Sequence, residues 1–131
     1  MPVRSKSGAK KSRKPSRLKH YNFGHKAEWW VCLHLYLRGY SVLERRYKTP
    51  VGEVDIIACR GRMLAFIEVK ARQDANVQEV LSRTQQERIS RAALLFIANN
   101  PRFATLSARF DLVRVCAPWH ITHIENAWQV S

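Results

Sequence analysis

From Val51 to Lys70 the chain reads VGEVDIIACRGRMLAFIEVK, two apolar runs parted by Gly61-Arg62. Short apolar runs bounded by a glycine turn predict a buried β-hairpin. Glycine first in a two-residue loop suits a type II′ turn, which sets the register. Cys59 then faces Leu64, Ile57 faces Phe66, Asp55 faces Glu68 and Glu53 faces Lys70, all on one side of the ribbon. The other side pairs Ala58 with Ala65, Ile56 with Ile67 and Val54 with Val69, a continuous apolar surface for a helix to cover. Upstream, HKAEWWVCLHLYLRGY is apolar enough for a mostly buried helix from about His25 to Arg38, ended by Gly39. A strand over Ser41 to Tyr47 follows, and Thr49-Pro50 breaks the chain before the hairpin. After Lys70 comes a polar connection, then Thr84-Gln85-Gln86-Glu87, a capping-box pattern that predicts a helix to about Asn99, where Asn100-Pro101 stops it. Phe110 to Cys116 and His120 to Ile124, separated by Ala-Pro-Trp, read as two further strands. The order is α-β-β-β-α-β-β without internal repeat, an α/β domain with a mixed central sheet flanked by helices.

The hairpin register creates an electrostatic problem. Directly opposed side chains lie about 4.5 to 5.5 Å apart at Cβ, where like charges are destabilising. A cation between Asp55 and Glu68 resolves it. A hard, oxygen-seeking divalent ion such as Mg²⁺ suits two carboxylates and keeps waters that can serve as nucleophiles. Lys70, on the same face, can hold such a water or stabilise developing charge on a phosphoryl group. Glu28 on the first helix can complete the cation's shell. The competing reading is that Lys70 and Arg72 neutralise a purely structural acid cluster. Glu53 is a candidate accessory ligand, with an ion pair to Lys70 as its simpler role. Asp111 reads as a structural acid bonded to Arg109 or to a backbone amide. Adjacent Trp29 and Trp30 cannot both face the core; partial burial against the sheet is the plain reading, base stacking or a dimer contact the other.

Composition narrows the partners. The chain has 131 residues, 46% of them hydrophobic, enough for one small core, and a formal net charge of +13. A polyanion is the first partner to expect and an anionic membrane surface the second. Met1 to about Tyr21 holds Arg4, Lys6, Lys10, Lys11, Arg13, Lys14, Arg17 and Lys19 with no acid, and reads as a disordered basic tail before a domain over 22–131. It can serve as a salt-sensitive phosphate-binding arm through Lys10, Lys11, Arg13 and Lys14, or as a solubilising extension. An organelle presequence fits less well, because periodic bulky apolar residues are missing. Arg83, Arg88 and Arg91 fall on or near the second helix, where they can line a phosphate track or form a solvated face. The three cysteines sit singly in apolar runs, as reduced core thiols do, and the histidines show no zinc spacing. With no apolar run of membrane-spanning length and no signal-peptide pattern, the expectation is a soluble, cytoplasmic protein.

Asp55 followed by Glu68-Val69-Lys70 resembles the Asp…(Glu/Asp)-x-Lys signature of restriction-endonuclease-like nucleases. Gly24-x-x-x-Glu28, Gly39-Tyr40, Gly52-Glu53-Val54-Asp55, Phe66-Ile67-Glu68-Val69-Lys70-x-Arg72, Arg109-Phe110-Asp111 and His123-Ile124-x-Asn126-Ala127 together resemble the bacterial YraN-like family, from about Gly24 to Trp128. The resemblance implies a restriction-endonuclease-like core, similar to that of Holliday-junction resolvases. It also implies a metal-dependent nuclease site of Glu28, Asp55, Glu68 and Lys70, using Mg²⁺ or Mn²⁺ on DNA; Arg72 and Arg88 are expected, from their charge and position, as further nucleic-acid contacts. Branched or processed DNA in repair or recombination is the implied substrate class, and a junction cutter calls for a homodimer. Two positions depart from the family: Arg46 stands where Asn is usual, and Gln85 where Lys is common. The alternative is a non-catalytic nucleic-acid-binding or repair-accessory protein with a vestigial site; a ribosome-associated basic protein would need no carboxylate cluster at all.

Overall fold

The computed structural model describes residues 15–72, 81–116 and 119–129. The elements run α1 (Pro15–Leu37), β1 (Ser41–Thr49), β2 (Gly52–Arg60), β3 (Met63–Arg72), α2 (Arg83–Asn99), a 3₁₀ turn at Pro101–Phe103, β4 (Ser107–Cys116) and β5 (His120–Trp128). This is the predicted order. The strands form one five-stranded sheet in the order β1-β2-β3-β4-β5, with β3 and β4 parallel and every other pair antiparallel. The parallel pair is possible because α2 carries the chain back across the sheet, as a parallel crossover requires.

α1 lays Ala27, Val31 and Leu35, spaced one turn apart, on one face of the sheet against Ile56, Ala58, Ala65, Ile67, Val113 and Val115. α2 covers the other face with Ile89, Ala92, Ala93 and Phe96 packed on Ile57, Leu64, Phe66 and Leu112. Stacked rings seal that side, Phe66 on Phe110 at 5.7 Å and Phe110 on Trp128 at 5.4 Å. Both faces of the central strands are buried, which explains their nearly continuous apolar sequence.

α1 ends at Gly39, whose φ of +88° suits glycine. Its N–H donates to the Tyr36 carbonyl and that of Tyr40 to Leu35, a Schellman closure. At its other end α1 begins at Pro15, well before the expected His25, so it takes in 15–21, which the sequence reading placed in the basic tail. Proline fits a first helical turn, where its missing N–H has no intrahelical partner to lose. Lys10, Lys11, Arg13 and Lys14 lie outside the described residues.

α2 starts earlier than its predicted capping box. Ser82, not Thr84, is the N-cap: its hydroxyl accepts from the Gln85 N–H, and the Gln85 side chain accepts in return from the Ser82 N–H. Ser82-x-x-Gln85 satisfies the same rule as Thr84-x-x-Glu87, and Leu81, buried in the core just before it, anchors the earlier choice.

Candidate active site

β2 and β3 pair as expected from Arg60–Met63 to Ile56–Ile67, around a two-residue turn in which Gly61 takes φ +59°. Beyond Ile56 the ladder stops. β2 stays paired with β1 as far as Gly52, and β3 with β4 as far as Arg72, so the sheet splits between its second and third strands. The expected cross-strand pairs Asp55–Glu68, Val54–Val69 and Glu53–Lys70 do not form as ladder pairs. Val54 packs on the α2 side, whereas Ile56 and Val69 pack on the α1 side. Strict alternation would put Val54 and Ile56 on one face, so β2 turns over at Asp55.

Asp55 sits in the mouth of this split. Its Oδ2 accepts the Val69 N–H at 2.8 Å, taking up a backbone donor that the opened ladder leaves behind. Burial pushes its carboxyl up to about 7, and the neighbouring Glu68 charge adds to this, opposed by the Val69 hydrogen bond. Glu28 contributes a smaller repulsion from α1. Lys70 Nζ lies 3.2 Å from Glu68 Oε2. The anticipated Glu53–Lys70 ion pair is therefore replaced by Lys70–Glu68. Glu53 is exposed and stands opposite Lys48 of β1, because β2 follows β1 after parting from β3.

Glu28 is brought to the same region but is held elsewhere. Its Oε1 meets Arg46 Nε at 2.9 Å. Arg46 falls between the pairs Arg45–Ile56 and Tyr47–Val54, which places it opposite Asp55 on β1. It takes φ +53°, a left-handed conformation that Asn adopts far more readily than Arg. Sequence comparison could mark Arg46 as unusual; its pairing with Glu28 had no local signal, since it depends on how α1 crosses β1. Among the described residues no group of three or more His, Cys, Asp and Glu side chains is arranged to hold a metal ion. Asp55 and Glu68 supply hard oxygen donors that fit Mg²⁺ or Mn²⁺. Glu28 has its Oε1 engaged by Arg46 and would have to share its carboxylate to join them.

Arg88 is exposed on α2. Its backbone carbonyl closes on Gly52 so tightly that a Cβ there would lie 1.9 Å from the oxygen, and this contact brings α2 beside the strand that carries Asp55. Arg72, at the end of β3, donates to the Ala71 carbonyl at 2.9 Å.

Asp111 is fully buried on the α1 side of β4. Arg109 donates to both its oxygens at 2.8 Å, His123 Nε2 lies 2.8 Å from Oδ2, and the Asn126 N–H reaches Oδ1 at 3.0 Å. Arg109 also meets the Tyr40 hydroxyl. Burial alone would raise the Asp111 carboxyl, but the hydrogen bonds from His123, Arg109 and Asn126 outweigh it and hold the group below the usual carboxylate range. The expected structural acid is thus in place, with His123 and Tyr40 as partners that the strand pattern did not reveal.

No described helix is long and apolar enough to cross a membrane. Cys32, Cys59 and Cys116 are free thiols; Cys116 is buried and the other two are half-buried.

The fold resembles the structure of Hjc, a Holliday junction resolvase from Archaeoglobus fulgidus, with a TM-score of 0.54 and 18% sequence identity over 76% of this chain and 73% of that one. Among curated proteins, a UPF0102 protein of Chelativorans sp. is 44% identical over 114 residues, covering 86% of this chain and 92% of its own length. A second, from Mesorhizobium japonicum, is 41% identical over 115 residues, covering 86% and 91%. The model of the uncharacterised protein family UPF0102 matches residues 27–115. The chain belongs to this family, the YraN family that its motifs resemble, and carries it on a resolvase-like, restriction-endonuclease-like fold.

Proposed function

We propose that this protein is a metal-dependent nuclease that hydrolyses phosphodiester bonds in DNA. The observation that carries the reading is the split sheet. It sets Asp55 and Glu68 side by side with Lys70 on the Glu68 carboxylate, in a strongly basic chain. Such a pair is unfavourable in an empty fold, and a divalent cation relieves it. Likeness to a Holliday junction resolvase supports the same reading at the level of fold.

Asp55 and Glu68 would hold Mg²⁺ or Mn²⁺, which when bound supplies a Lewis acid for the phosphate and an activated water. The chain's own residues do the remaining work. The Val69 N–H fixes the Asp55 carboxylate, so its free oxygen points in a constant direction. Lys70 keeps its ammonium at the acid pair, where it can contact a non-bridging phosphate oxygen as charge builds there. Arg72 and Arg88 bind flanking phosphates, and the basic residues before α1 add non-specific affinity for the strand. Glu53, exposed beyond Asp55, is an accessory at most. Branched or processed DNA is the substrate class we favour, with a homodimer for paired cuts.

A second reading, a nucleic-acid-binding protein whose site is vestigial, is favoured by one observation: Arg46 already neutralises Glu28. The two separate in a cleavage time course on branched, flapped, single-stranded and duplex DNA with Mg²⁺ or Mn²⁺, wild type beside Lys70→Ala. The nuclease reading expects cutting of at least one substrate, slowed about 100-fold or more by loss of the ammonium. DNA binding without cutting, at any metal concentration, selects the accessory role.

A further inference from the structure

Three tryptophans gather on the α1 side of the sheet. Trp29 and Trp30 come from α1, and Trp119 comes from the turn between β4 and β5. Trp29 and Trp30 meet in a T-shaped contact at 5.5 Å and 87°, and Trp30 lies 5.7 Å from Trp119 at 31°. Trp29 is 55% exposed and Trp119 37%. Trp29 is roughly 200° around the helix from Ala27, on the side facing away from the sheet. Tyr36, seven residues on and 72% exposed, continues that side about 10 Å further along. More than half of the Trp29 surface is therefore within reach of a ligand.

The cluster stands at the same end of the sheet as the acid pair. Cys116, which closes β4, pairs with Arg72 of β3 and with His120 of β5, just beyond Glu68 and Lys70. β3, which carries Glu68 and Lys70, is the direct neighbour of β4, roughly 5 Å away. Glu28 precedes Trp29 directly, and exposed Lys26 lies one turn before Trp29 and Trp30 on α1. Cations, partly exposed rings and the acid pair therefore share one end of the molecule.

We infer that Trp29, Trp30 and Trp119 form a stacking platform for unpaired nucleobases, so that the DNA taken by this protein carries single-stranded nucleotides beside the cut phosphate. The cut rests on the nuclease reading above; the stacking does not. Charge selects the occupant. A second copy of a chain with net charge +13 would bring like charge to this end, whereas a strand of DNA brings bases for the rings and phosphates for Lys26, Arg72 and His120. Bases inside a duplex have both faces covered, so they cannot use the platform.

The test is binding of the full chain, without divalent metal, to labelled oligothymidylate of about 12 nucleotides. An abasic strand of the same length and a duplex serve as comparisons. Wild type should prefer thymidylate over the abasic strand by about ten-fold or more, the size of one base–aromatic stack. Trp29→Ala and Trp119→Ala should erase that preference and leave abasic binding unchanged, with the melting temperature showing that both still fold. Trp29→Phe should restore most of the preference. Equal wild-type affinity for the two strands overturns the platform. So does an unchanged base preference in the variants accompanied by loss of self-association, or by loss of binding to anionic vesicles, which would assign the rings to a second copy or to lipid. A base preference without any metal-dependent cutting keeps the platform and removes the nuclease; cutting without a base preference does the reverse.

Discussion

Arg46 combines a left-handed φ of +53° with an ion pair to Glu28, and these two features work in opposite directions. The backbone conformation costs a non-glycine residue about 1 kcal/mol, and an exposed ion pair returns about the same or less. Arg46→Asn should therefore change the metal-free stability by less than about 1 kcal/mol, because Asn tolerates the left-handed region. It should also release Glu28 and tighten Mg²⁺ binding several-fold, read by calorimetry. Unchanged affinity would mean that Glu28 is no ligand. Asp111 gives a pH prediction. Its folded carboxyl is held below the unfolded value, so the stability it contributes is fully present above about pH 4 and is lost as pH falls through the folded value. Urea denaturation from pH 7 down to 2.5 should show that loss in wild type. Asp111→Asn should lack the carboxylate's share of it and start about 3–5 kcal/mol lower at pH 7, because Arg109 is left without its buried counter-charge.

At the scale of elements, legibility followed the reach of each physical rule. The hairpin around Gly61-Arg62, the glycine stop of α1 and the helix over Arg83–Asn99 depend on neighbours a few residues away, and the sequence displays those neighbours. The same count brought Asp55 near Glu68, which the structure also places in interaction, but as a direct cross-strand pair that does not form. The opening of the ribbon at Asp55 was not legible, because β2 and β3 there follow their outer neighbours β1 and β4, the latter paired over a long separation. Arg46 opposite Asp55 and His123 on Asp111 are likewise products of strand pairing over long separations. Gly52 shows how a helix is seated by one small residue. A Cβ there meets backbone atoms of Arg88, which cannot rotate away. Gly52→Ala should cost at least about 2 kcal/mol by forcing α2 off β2. A chemical-denaturation midpoint equal to wild type would show that α2 shifts freely.

For the whole molecule, the proposed nuclease reading assigns net charge and the split sheet separate roles, one in binding and one in catalysis. With about six phosphates neutralised, DNA affinity should fall on the order of 1000-fold between about 50 and 200 mM salt, and should fall as steeply for Asp55→Asn as for wild type. A fluorescence-anisotropy titration at several salt concentrations reads this, and a flat response removes the phosphate-track assignment. The proposed metal site depends instead on two neighbouring carboxylates, Asp55 and Glu68, that raise each other's energy. Removing one charge should raise the melting temperature of the metal-free protein and abolish any response to the ion. The most direct measurement is melting temperature against Mg²⁺ concentration for wild type and Asp55→Asn at pH 7.5. Wild type should begin lower and climb by several degrees as the ion saturates the site, while Asp55→Asn begins higher and stays level. A wild-type melting temperature indifferent to Mg²⁺ and Mn²⁺, or a mutant that climbs in parallel, contradicts the assignment of Asp55 and Glu68 as the metal site.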